Sequence, residues 1–179
     1  MLARFGGLNA VLTALTAVTA LYFALVVFGN VTDFGTNHAF VRHVLAMDTT
    51  FGDPDVTWRA ITDPALVLAA YLCVIVWEAA TAVVLVVAAG SWLAVLAGRS
   101  TADSARRWSS LGWTMAVLLF GGGFIVIGGE WFQMWQSEDW NGLQAAMQNF
   151  LVAGVGLILV HLPGPPAARP GPHAEQRPG

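Results

Sequence analysis

The sequence predicts an all-α fold: a four-helix transmembrane bundle with short amphipathic helices in the first extracytoplasmic loop. Three observations predict it. Of 179 residues, 56% are hydrophobic and 11% charged, whereas soluble domains carry about 25% charged residues. Four apolar runs approach or exceed the roughly 20 residues that a helix needs to cross about 30 Å of hydrocarbon. The arginines gather in alternate connecting segments, the bias that orients a chain in a membrane.

The first run, "FGGLNAVLTALTAVTALYFALVVFG", covers 5–29. It is longer than the apolar core of a secretory signal, about 7–15 residues, and is expected to stay as a helix. The segment 30–64 follows, too long for a plain connection. Within it, "NHAFVRHVLAM" sets Phe40, Val41, Val44, Leu45 and Met47 mostly on one side of a short helix. Asp48, Thr49 and Thr50 end that helix or start a turn, and Gly52-Asp53-Pro54 marks a turn. A second short helix is expected over "DVTWRAI", capped by Asp55 or Thr57. These pieces would lie on the outer face and cover the bundle.

The second run, 65–98, starts after Pro64; the third covers 108–129; the fourth, 143–162, stops before Pro163. Residues 1–163 thus form one four-span domain, and the Pro/Gly-rich tail 164–179 reads as disordered and cytoplasmic. Small residues in "GGLNA", "GGGF" and "AGVG" let helices approach closely. Gly121, Gly122 and Gly123 also permit a bend or admit a ligand.

Orientation follows from the arginines. "RSTADSARR" holds three, Arg4 precedes the first span, and Arg169 and Arg177 follow the last. The other two loops hold eight carboxylates against Arg42 and Arg59. Both termini are therefore expected in the cytoplasm of a bacterial cell, the chain lying in its inner membrane. The bacterial origin is read from cations that are all Arg, with an Ala/Gly/Trp bias. Trp77, Trp131, Trp135 and Trp140 fit the outer headgroup level, and Trp92 and Trp108 the inner one, because an indole is apolar in its ring and polar at its N–H. Net charge is −3, which argues against a nucleic-acid surface.

Two carboxylates stand out. Glu78 lies 21 residues from Arg99, roughly 31 Å along a helix, and Glu130 lies 23 from Arg107, roughly 34 Å. Both therefore reach a similar outer level. The apolar run 65–77 continues beyond Glu78, so the helix tilts, breaks at Gly90–Ser91, or is covered by the first loop; cover with tilt fits best. The candidate polar cluster is Arg42, His43, Arg59, Glu78, Glu130 and Gln144, with Arg42 or Arg59 expected to neutralise Glu78, since an ionisable group in a span usually finds a partner. Gln144, Gln148 and Asn149 are expected to bond to the third span or to extend a polar pocket towards Glu130.

Other motifs are missing. His161 is the one histidine in a span, and haem between helices needs two. His38 and His43 are five apart, a poor metal spacing. No di-iron pattern, phosphate loop, nucleophile elbow or zinc spacing occurs. Cys73, alone, reads as a small hydrophobe. "NVT" at Asn30 fits a glycosylation acceptor but abuts a span. No catalytic residue, cofactor or metal is expected, and the chain is read as non-enzymatic.

The blocks "NVTDFGTNHAFVRHVLAMDTTF", "WRAI", "AAYLCVIVWEAATA" and "GGEWFQMWQSEDWNGLQAA", in this order, resemble the bacterial family of predicted small integral membrane proteins known as domain of unknown function 2165. The resemblance spans roughly 5–162 and implies a four-helix membrane protein, with no activity, substrate or site residues to carry over. Two roles stay open. One is an accessory or structural component of a membrane complex or envelope process, with the bilayer and a membrane-protein partner or a second copy as its contacts. The other is a small transporter or lipid/amphiphile binder with a polar site beneath the outer cap.

Overall fold

A computed structural model describes residues 7–163. The tail 164–179 and Arg4 lie outside the described residues. Within them the chain is helical, without strands, and four helices are long and apolar enough to cross a membrane. Helix α1 covers Leu8–Thr32, α2 covers Phe34–Ala46, α3 covers Pro64–Leu96, α4 covers Ala102–Trp131 and α5 covers Leu143–His161.

The start of α3 follows from local chemistry. Pro64 is its first residue, where a missing N–H costs nothing. The Asp63 carboxylate accepts from the amides of Ala65 (2.8 Å) and Leu66 (3.1 Å), which no helical carbonyl reaches. The helix runs unbroken through Gly90–Ser91 to Leu96, and Gly98 just beyond its cap turns the chain with a φ of +73° that suits glycine. Its 33 residues span roughly 50 Å, more than a bilayer core. The excess is what α2 covers: Phe34 and His38 of α2 pack on Tyr71 of α3, ring centroids 4.8 and 5.8 Å apart. Cover is thus observed, and a break is not.

Helix α4 begins at Ala102, six residues before the expected start, and changes winding partway. From Leu118 to Trp131 it is π-wound, and the Phe132 amide continues the pattern by donating to Ile127 (3.0 Å). Five of those fourteen residues are glycine, so few side chains crowd the wider turns. The chain then makes a 3-10 turn at Met134–Gln136 and enters α5.

Glycine also fixes the helix spacing. A Cβ at Gly156 of α5 would stand 2.5 Å from the Trp113 indole of α4, and one at Gly112 would stand 2.5 Å from Leu85 of α3. In lipid, such close approach is what holds helices together. In ring order the bundle is α1–α3–α4–α5, with α1 and α5 the least intimate neighbours.

Residues 33–63 form a cap over one end. The expected second cap helix is reduced to a single 3-10 turn, Thr57–Arg59, with no side-chain cap from Asp55 or Thr57. The reason is that the next residues are committed elsewhere: the Ile61 amide donates to the Leu45 carbonyl (2.8 Å), tying the exit to the end of α2. The cap is clamped to the segment after α4. Thr49 Oγ1 donates to Ser137 Oγ (2.8 Å) and the Phe51 amide to Gln136 Oε1 (2.8 Å). The Phe51 ring meets Trp135 edge to face.

Candidate functional site

Beneath the cap lies a polar chamber of about 280 Å³. Five elements line it, each with residues on one helical face: Tyr22, Val26 and Asn30 of α1, Asn37 and Val41 of α2, Tyr71, Val74 and Glu78 of α3, Phe120 and Phe124 of α4, Ala145 and Asn149 of α5. Spacings of three, four or eight bring such residues into line on a helix. The chamber abuts an apolar one of about 320 Å³, walled by residues such as Leu45, Ala70, Leu119, Gly123 and Met134. Phe40, Val41, Val74 and Phe124 belong to both.

Glu78 is the one Asp, Glu, His or Arg side chain lining the polar chamber and is 4% exposed. It sits roughly 21 Å along α3 from Pro64. Asn30 Nδ2 donates to its Oε2 at 2.6 Å. The Asn30 carbonyl in turn accepts from the Tyr71 hydroxyl (2.9 Å). Across the chamber, Asn149 Nδ2 donates to the Tyr22 hydroxyl (2.9 Å) and to Ala145 O (2.9 Å). That bond closes the loose seam between α1 and α5.

The expected arginine partner of Glu78 is corrected. Arg42 Nη2 donates to His43 Nε2 (3.0 Å), and His43 Nδ1 stands 2.9 Å from both Asp48 oxygens. The His43 ring lies on Trp140, centroids 4.4 Å apart. Arg59 Nη1 donates to Trp131 O (3.3 Å), and its guanidinium lies 4.7 Å from the Trp131 ring. Among the described residues His43–Asp48 is the one contact at ion-pair distance, and with Nε2 accepting from Arg42 it is a hydrogen bond donated by the Nδ1–H. Both arginines are thus held at the rim by imidazole, carbonyl and indole, while an amide serves Glu78. Asn30 is thereby turned into the bundle, which removes the glycosylation reading.

Glu130 and Gln144 also stay apart from Glu78. Both are exposed and neither lines the polar chamber. Of the three α5 amides only Asn149 reaches it, bonding to α1 rather than to α4, the third span. Tyr22, Asn30, Asn37 and Tyr71 are members that the candidate cluster omitted. The signal for the α1 pair was present: Tyr22 and Asn30 stand eight apart in an otherwise apolar stretch.

The tryptophans divide. Trp108, Trp131 and Trp135 are exposed, and Trp140 is half-buried under His43. Trp92 is not an interfacial anchor: it is fully buried, and its indole donates to Ser109 Oγ (2.7 Å) inside the bundle. Trp77 is exposed in mid-helix, where its N–H donates to Met115 O of α4 (2.9 Å) and so is not free for headgroups. At the far end Arg106 caps α5, donating to Val160 O and to Leu162 O (2.8 Å).

Residues 8–163 match the family described as predicted small integral membrane protein (DUF2165). The chain belongs to that family. No curated protein and no solved structure matches it. Membership in DUF2165 makes the four apolar helices those of an integral membrane protein. It names no residue of the Glu78 chamber, so any role for the chamber rests on its geometry.

Proposed function

We propose that this protein binds an amphiphile within the membrane, with the polar head at Glu78 and the hydrocarbon in the adjoining apolar chamber. One observation carries the reading: a polar and an apolar chamber of similar size share a wall of four side chains. Ligand pockets run about 300–1,000 Å³ and are mostly apolar with a few placed polar groups. The seam between α1 and α5, latched by Tyr22 and Asn149, gives a lateral way in from lipid. With the orientation that the arginines favour, the site opens in the outer leaflet of a bacterial inner membrane. Binding alone and transport both use such a chamber.

Native mass spectrometry of protein released in mild detergent tests this. Wild-type protein is expected to carry an adduct with the mass of a lipid or smaller amphiphile. Gly123→Leu should lose it while keeping its helicity: a Cβ at Gly123 meets nothing closer than Leu119 Cδ1 at 3.9 Å, so the new side chain grows into the apolar chamber. Bare wild-type protein would contradict the reading.

An accessory, non-enzymatic role in a membrane complex is the second reading, and a separate surface favours it. Leu72, Cys73, Val76, Trp77, Ala80 and Met115 line an apolar groove of about 470 Å³ on the lipid-facing side of α3 and α4. A helix of another membrane protein, or of a second copy, would fit there. A stoichiometric partner in native membranes, lost in Ala80→Trp, supports this reading.

A further inference from the structure

We infer that the head group taken by the Glu78 chamber is an organic ammonium cation, an inference that rests on the amphiphile reading above. The Glu78 carboxylate is buried, and its Oε2 is bonded to a neutral amide. Its Oε1 forms no hydrogen bond to a described residue. No arginine or histidine of the described chain lies within ion-pairing distance. The amide meets the carboxylate's need for a donor, and when Glu78 is ionised it leaves the charge unbalanced. A charge inside a membrane protein ordinarily has a partner or borders a water-filled path, and here a ligand can supply the charge.

The walls select which cation. Tyr22, Phe40, Tyr71, Phe120 and Phe124 surround the chamber with rings, whose faces carry the negative end of the aromatic quadrupole and attract weakly hydrated cations. A divalent metal ion asks instead for six or more oxygens, and no group of three His, Cys, Asp or Glu side chains converges among the described residues. An anionic head would face the carboxylate, and a neutral head would leave it unbalanced. An alkylated ammonium answers both features, with its charge beside Glu78, its methyl groups on the rings and its chain in the apolar chamber.

Equilibrium dialysis of protein in lipid nanodiscs against empty nanodiscs tests the inference with two probes of one shape. Hexyltrimethylammonium carries the charge and 2-methyl-2-octanol does not. The cation is expected to bind at least about tenfold more tightly than the alcohol. Tetramethylammonium chloride should displace it, and equal sodium chloride should not. Glu78→Gln should weaken the cation by a similar factor and leave the alcohol unchanged. Equal binding of both probes, or a failure of tetramethylammonium to compete, overturns the cation assignment and leaves the amphiphile reading standing. Binding of neither probe overturns both. Displacement is measured on the wild-type protein, so it decides the matter even where Glu78→Gln fails to fold.

Discussion

Gly156 shows how much a single missing Cβ does in this bundle. The Trp113 indole occupies the space such an atom would need, 2.5 Å away, and is itself fully buried. It cannot move aside without displacing its neighbours, because interiors are packed without spare volume. Gly156→Ala should therefore cost about 1–3 kcal/mol, the usual range for overpacking. Two residues earlier, a Cβ at Gly154 meets nothing within 4 Å, and Gly154→Ala should leave stability unchanged or raise it by up to about 1 kcal/mol, since alanine favours a helix over glycine. Reversible unfolding of the two variants in mixed micelles measures the difference. Equal effects would mean that α4 and α5 are not in the described register. The same scale separates Asn30 from Gln144. Both are amides near a helix end, but Asn30 points into the chamber and Gln144 to the surface. Composition treats the two alike, and only rotation about the helix axis, about 100° per residue, tells them apart.

At the scale of elements, the cap matters because it converts an overlong α3 into the wall of a chamber. Its clamp joins segments 88 positions apart through Thr49 and Ser137. In a Cys73→Ser background, Thr49→Cys with Ser137→Cys should form an intrachain cross-link on mild oxidation. A mobility shift reversed by reductant reports it, and its absence under the same oxidant would mean the cap is not seated there.

The four spans and the first cap helix were legible in the sequence, since an apolar run of sufficient length or a one-sided set such as Phe40, Val41, Val44 and Leu45 leaves a chain few alternatives. The second cap helix was not, because the Ile61–Leu45 backbone bond that ends it joins distant residues. The same holds for the arginines. Counting charges finds Arg59 an acid to pair with; the fold gives it the Trp131 carbonyl and the indole faces of Trp58 and Trp131. The π-winding of Leu118–Trp131 was signalled only by its glycines, which fit a bend, a close packing or a ligand equally well. The structure uses Gly121 for packing against Phe150 and Gly123 for the chamber.

Two properties of the whole molecule are open to direct test. The first is orientation. If the arginines hold the 99–107 segment in the cytoplasm, an impermeant thiol reagent applied to intact cells should label Glu138→Cys and spare Asp103→Cys, again with Cys73 replaced. The reverse pattern would invert the topology.

The second is occupancy: a ligand from the membrane resides beneath the cap, between α2 and the helices it covers, rather than on the outer surface of the bundle. Photolabelling in native membranes tests it most directly, using an alkylammonium amphiphile with a diazirine midway along its chain. Adducts are expected on Phe40, Val41, Val74 and Phe124, the side chains common to both chambers. Adducts confined to lipid-facing residues such as Leu21, Val83 and Ile158, all of them exposed, would contradict it.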